Sequence, residues 1–104
     1  MDKKYKSFKQ FYPFYLSEHM NSICRVLHFI GTAGVITLIV LSVVNSNKLW
    51  YFAPSFGYSF AWAGHFFFEK NKPATFKYPV YSLFGDFLMF FHLLIRKEKF
   101  NSSR

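Results

Sequence analysis

Val26–Val44 reads VLHFIGTAGVITLIVLSVV, and no formal charge falls anywhere between Val26 and Asn47. At about 1.5 Å rise per residue, nineteen such residues cover roughly the hydrocarbon thickness of a bilayer. The stretch lies too far from the N-terminus, with too much chain after it, to read as a cleaved signal peptide. Two more uncharged stretches follow: Leu49–Phe68 (LWYFAPSFGYSFAWAGHFFF) and Tyr78–Ile95 (YPVYSLFGDFLMFFHLLI), the latter uncharged but for Asp86. Pro54 and Gly57 are expected to kink the second stretch or to move its start to about Ser55, which a membrane helix tolerates when neighbours satisfy the freed carbonyls. Trp50 and Tyr51 suit an aromatic belt at the membrane surface. Pro79 suits a helix start. Ahead of the first stretch, Phe8–Leu16 (FKQFYPFYL) is aromatic and broken by Pro13, as in a short helix lying on the membrane. The expected fold is all-α: one domain over residues 1–104, a multipass transmembrane bundle with about three membrane helices (26–44, 49–68, 78–95), and an interfacial N-terminal arm at about 5–20.

Composition agrees. The 104 residues include 52% hydrophobic and only 17% charged, with sixteen Phe, seven Tyr and two Trp. That is too apolar for a disordered chain and poorer in charge than soluble domains, where charged residues approach roughly 25%. A single Cys excludes an internal disulfide framework and a cysteine-clustered zinc site; Cys24 reads as a small buried residue.

The net charge of +8 raises the question of nucleic acid. The bases, however, sit in flanks around apolar spans: Lys3, Lys4, Lys6 and Lys9; Lys70, Lys72 and Lys77; Arg96, Lys97, Lys99 and Arg104. That distribution faces anionic headgroups. No basic helix face or base-stacking motif accompanies it, so no nucleic-acid partner is expected. With three crossings, eight Lys and Arg fall on the N-terminal side against five; if the third stretch does not cross, the split is twelve against one. The charge rule therefore prefers an even number of crossings, while length prefers three. Both place the N-terminus inside, as expected for an integral protein of a bacterial inner membrane with a cytoplasmic N-terminus.

In an antiparallel bundle, the start of one span, the end of the next and the start of the third share a membrane face. His28, His65 with Glu69, and Asp86 occupy those places, and His19 in the arm joins them. His92 is expected on the opposite face, rotated about 240° from Asp86. His65 and Glu69, at i and i+4, stack on one helical side, so Glu69 either shares a cation with His65 or orients it. His19 and His28 would point apart on one unbroken helix, but Asn21-Ser22 offers a helix cap between them, and a bend there brings them together. Several imidazoles with carboxylates and open positions suit a non-haem Fe(II) or zinc site. Each group also has a plainer reading. An interfacial His is commonly hydrogen-bonded, Glu69 beside Lys70 and Lys72 forms a surface ion pair, and Asp86 pairs with Arg25 or a His. Gly31, Gly34, Gly57, Ala61 and Gly64 are small residues at helical spacing, suited to close helix packing.

Three stretches, Phe14–Thr32 (FYLSEHMNSICRVLHFIGT), Ala61–Tyr78 (AWAGHFFFEKNKPATFKY) and Ser82–Met89 (SLFGDFLM), carry a family resemblance. Their most specific parts are Glu18, His19, Asn21, Leu27, His28 and Gly31, then Gly64, His65, Glu69, Asn71, Pro73 and Ala74. Together they resemble the small membrane family typified by the yeast endoplasmic-reticulum 2-hydroxy fatty acid dioxygenase, in the form of its compact bacterial members. The resemblance implies an Fe(2+)-dependent α-oxidation, in which a 2-hydroxy fatty acid and oxygen yield the fatty acid one carbon shorter. It implies metal ligands at His19, His28 and His65, with Glu69 as a fourth ligand or orienting partner. Arg25 is a candidate partner for the substrate carboxylate, and Asp86 a candidate catalytic residue. His92 has no motif position. The rival readings are a non-catalytic membrane protein that packs or binds lipid, and bis-His haem ligation.

Overall fold

Ser7 opens the first helix: its hydroxyl accepts the Gln10 N–H at 3.2 Å, the bond that a helix start lacks internally. In the computed structural model, which describes residues 4–72 and 76–100, this begins an all-α chain of four helices with no strand among the described residues. The helix α1 runs Phe8–Ser17 and contains Pro13. A short link follows, and Asn21 caps the next helix by accepting from the Ile23 and Cys24 N–H groups at 2.9 and 3.1 Å. The chain thus breaks between His19 and His28, as the Asn21-Ser22 signal predicts.

The second helix, α2, spans Ser22–Asn45. It ends where Ser46 turns left-handed (φ 54°) and the Asn47 N–H reaches back to the Ser42 carbonyl at 3.1 Å. A tight turn at Leu49–Phe52 leads into α3, Ala53–Ala63, which continues as a π-helical turn over Gly64–Glu69. Pro54 lies in the first turn of α3, where its missing N–H costs nothing, so it starts this helix rather than kinking it. The last helix, α4, spans Pro79–Leu94.

Small residues seat α3 on α2. A Cβ on Gly31 would stand 3.1 Å from Phe60 Cβ and 3.2 Å from the Gly57 carbonyl oxygen, and one on Gly64 would stand 2.9 Å from Cys24 Sγ. These close approaches let the two backbones pack as membrane helices do. By contrast, α3 and α4 both pack against α2 but hardly touch each other, which leaves a groove between them.

The structure departs from expectation in two places. First, α1 is not an arm apart from the rest of the fold. Phe11 and Tyr15 are fully buried, and with Tyr78, Met89 and Leu93 they form the core between α1 and α4. The aromatic run that suggests a surface helix is instead the chain's main packing face. Second, α4 starts and ends beside α1. At its start, the Tyr5 N–H donates to the Tyr78 hydroxyl (3.2 Å); at its end, Tyr12 bonds His92, and Glu98 just beyond bonds Arg25 at the head of α2. A helix crossing parallel to α2 would deliver Glu98 to the far end of that helix. Among the described residues, α2 alone is long and apolar enough to cross a membrane; α4 is apolar but shorter.

The exterior is unusually greasy. Among the described residues, 24 large hydrophobic side chains are exposed, against eight hydrophobic residues buried, so the outside holds more apolar bulk than the core. We expect Gly31→Leu to lower stability by about 1–3 kcal/mol through overpacking against α3. Val43→Leu, at a position 76% exposed, should leave it unchanged. Thermal unfolding in detergent checks both.

Candidate metal centre

Three imidazoles meet where the α1–α2 link, the first turns of α2 and the π-helical turn come together. His19 Nε2 lies 3.1 Å from His28 Nε2 and 2.9 Å from His65 Nε2, and one ligand atom from each ring lies within 4.8 Å of the others. All three residues are buried.

Each ring is held from behind. His19 Nδ1 donates to the Tyr15 carbonyl (2.6 Å) and His28 Nδ1 to the Cys24 carbonyl (2.9 Å). His65 Nδ1 donates to Asn71 Oδ1 (2.7 Å). The Asn71 amide is oriented by its other end, which donates to the Glu18 carbonyl at 3.2 Å. A carbonyl oxygen can only accept, so in all three rings the proton sits on Nδ1 and Nε2 is a bare lone pair. The His19 lone pair thus faces those of His28 and His65 about 3 Å away, with no proton to bridge either pair. Alone they repel; a cation among them turns repulsion into ligation. Two nitrogens each about 2.1 Å from a metal and 90° apart stand roughly 3.0 Å from each other, which is the spacing of His19 Nε2 from each of the other two. The donor set therefore fits a divalent transition metal. It does not fit bis-His haem, because rings this close leave no room for a macrocycle between two axial nitrogens.

The neighbours serve this arrangement. The Tyr15 ring stacks on His19 with centroids 4.0 Å apart, and its hydroxyl donates to Asp86 Oδ1. Gly85 permits that approach, since a Cβ there would stand 2.8 Å from the Tyr15 ring. Burial and the adjacent carboxylate push the Tyr15 phenol well above its ordinary pKa, so it remains a donor. The Arg25 guanidinium is engaged within the chain. Its Nε donates to the His19 carbonyl (2.5 Å), and Nη1 reaches Lys99 O (2.7 Å) and the Glu98 carboxylate (3.1 Å). It fastens the His19 peptide to the end of the chain. Glu69 does not join the three nitrogens; its carboxylate accepts the Asn21 N–H at 2.5 Å and so anchors the start of α2. His92 stands apart, bonded to the Tyr12 hydroxyl at 2.9 Å. Pro73 and Ala74 lie outside the described residues.

Sequence reasoning assigned no role to Tyr15 or Asn71. Asn71 had a usable signal, standing six residues after His65 beyond the helix end. Tyr15 had a weaker one, four residues before His19.

A cavity of about 410 Å³ begins at the cluster. His28, Thr32 and Asp86 line one end; Val35, Ile39, Trp50, Pro54, Leu83 and Phe87 are among the residues lining the rest.

Burial first, then the proximity of His28 and His65, pushes the His19 pKa well below its ordinary value. The unfolded chain therefore takes up this proton first, and stability of the metal-free protein is lost as pH falls below about 6.5. We expect a lower unfolding temperature at pH 5 than at pH 7.5, with a smaller difference in His19→Gln. Asn71→Ala frees the His65 ring and should weaken divalent-metal affinity about 10–100-fold, measured by metal titration.

Residues 5–98 match the family model described as "Mpo1-like: 2-hydroxy-palmitic acid dioxygenase Mpo1-like". No curated protein and no solved structure matches the chain. The match covers nearly the whole sequence, including all three clustered histidines, and the chain belongs to the Mpo1-like family.

Proposed function

We propose that this protein is an iron-dependent dioxygenase that removes one carbon from a 2-hydroxy fatty acid at the membrane surface. The observation that carries the reading is the trio of buried imidazoles whose Nε2 lone pairs converge while every Nδ1 is tied to an oxygen. The overall change balances: a 2-hydroxy acid and O₂ give the acid one carbon shorter, CO₂ and water. Fe(II) held by His19, His28 and His65 would supply open coordination positions for oxygen chemistry, and the electrons that reduce O₂ come from the 2-hydroxy acid.

The remaining roles belong to the chain. The three tethered rings hold their nitrogens in place before any ligand arrives, so little ordering is left for binding to achieve. Asp86 lies beside His28 at the head of the cavity, and among the described residues Tyr15 alone bonds it, through Oδ1. Its Oδ2 is the acceptor we assign to the substrate 2-hydroxyl proton. Burial at this end excludes bulk water from the reacting carbons. Arg25 acts by positioning, through the His19 carbonyl, and Glu69 by holding the α2 N-terminus against the π-helical turn.

The membrane reading follows from the same geometry. The helix α2 and the continuous helical segment 49–69 form a hairpin, with apolar side chains such as Val40, Val43, Phe56 and Phe66 exposed. We propose that these two cross the bilayer while α1 and α4 pack together at the headgroup level. Lys48 is then the only one of thirteen Lys and Arg between the crossings, an asymmetry that puts both termini in the cytoplasm. Two crossings replace the three suggested by segment length.

The rival reading, a lipid-binding protein without catalysis, keeps the cavity but leaves the histidines purely structural. Detergent-purified protein loaded anaerobically with Fe(II) should bind about one iron, consume oxygen on addition of 2-hydroxypalmitate but not palmitate, and release the fifteen-carbon acid. His28→Ala and His65→Ala should each lower turnover at least about a hundredfold while keeping helical content. Absence of bound metal, with unfolding of both variants, would favour the rival.

A further inference from the structure

The cavity at the cluster has a direction. His28, Thr32, Val35 and Ile39 line it from α2, spaced 0, 4, 7 and 11 residues along one helical stripe. Ala53, Pro54, Gly57 and Tyr58 line it from α3, with Leu83, Asp86 and Phe87 over its head from α4. Polar groups that can meet a charged head sit at the histidine end. Ile39 and Trp50 line the opposite end, and the Trp50 backbone N–H is pinned to Ser42 Oγ at 2.6 Å. The groove exists because α3 and α4 rest on α2 without meeting, and its floor stays open because Ala53 and Gly57 carry almost no side chain.

We propose that this groove seats the acyl tail of the 2-hydroxy acid, with the carboxyl end at His28 and Asp86, and that Ile39 and Trp50 set the length of chain accepted. This rests on the reading of the histidine site as the reaction centre, because His28 belongs to both. Eleven residues of α2 give a run of about 16 Å. An extended hydrocarbon advances about 1.25 Å per carbon for bonds of roughly 1.5 Å, so about thirteen carbons fit beyond the head. Adding the two head carbons places the preferred acid near fourteen to sixteen carbons. A tail of that size is also in proportion to a volume of about 410 Å³.

Trp50 lies at the tail end and provides a reporter. Trp62 does not line the groove, so Trp62→Phe leaves Trp50 as the only tryptophan. Metal-free Trp62→Phe protein in detergent is titrated with myristic acid carrying bromine at carbon 5 or at carbon 12. The carbon-12 label should quench Trp50 the more strongly, and unlabelled 2-hydroxypalmitate should relieve that quenching. Ile39→Trp is unsuited to this readout, so Ile39→Phe is added: it should weaken competition by 2-hydroxypalmitate about tenfold, as overpacking does, and leave 2-hydroxylaurate unaffected. Equal quenching by both labels without relief means contact with bulk detergent-dissolved lipid only, and overturns the proposal. Stronger quenching from carbon 5 overturns the assigned direction, and an unchanged length preference in Ile39→Phe overturns the ruler. Because the assay needs neither metal nor turnover, failure here with intact oxygen uptake rejects the groove alone. Success here with no oxygen uptake rejects the catalytic reading alone.

Discussion

The structure depends on three imidazoles being unable to share a proton. Each Nδ1–H is committed to an oxygen acceptor supplied by a different part of the chain, so three Nε2 lone pairs are left pointing at one another. Burying such a group without a cation is unfavourable, because lone pairs about 3 Å apart repel and none has a donor. The fold tolerates this because the acceptors behind His19 and His28 are helix carbonyls, and the Asn71 amide behind His65 is itself held by the Glu18 carbonyl. A donor set built in this way fits a metal ion without rearrangement.

Much of the remaining architecture exists to bring three distant points of the chain to that place. Asn21 stops the chain from running on as one helix from Phe8 to Asn45, and the bend it caps turns His19 toward His28. The π-helical turn after α3 carries His65 inward and lets Asn71 return to it. Gly64 allows this turn to press against Cys24, whose carbonyl holds His28. Arg25 and Glu69 then tie the link and the head of α2 together. Loss of any of these contacts would act on the metal centre through position and not through ligation.

The helix α2 and the bend before it were legible in the sequence because they depend on local rules. An uncharged run of the right length reads as a membrane helix, and an Asn-Ser pair between two histidines reads as a cap that bends the chain. What was not legible depended on long-range partners. Nothing in FKQFYPFYL shows that Phe11 and Tyr15 bury against α4 and not against headgroups, since an aromatic stripe serves either surface. The third uncharged stretch has the length to cross, and only the Tyr12–His92 and Glu98–Arg25 contacts show that it packs along α1 and ends near the head of α2. Arg25 was read as an anion binder because a guanidinium near a site suits a carboxylate. In the folded chain its donors are already taken by two carbonyls and Glu98.

The central claim concerns which atoms surround a bound metal, and X-ray absorption at the iron edge of the Fe(II)-loaded protein reads this directly. The account predicts a shell containing three imidazole nitrogens at roughly 2.1 Å, completed by oxygen from water, and two imidazoles in His19→Gln. A shell of oxygen alone, or one unchanged when His19 is replaced, would contradict it.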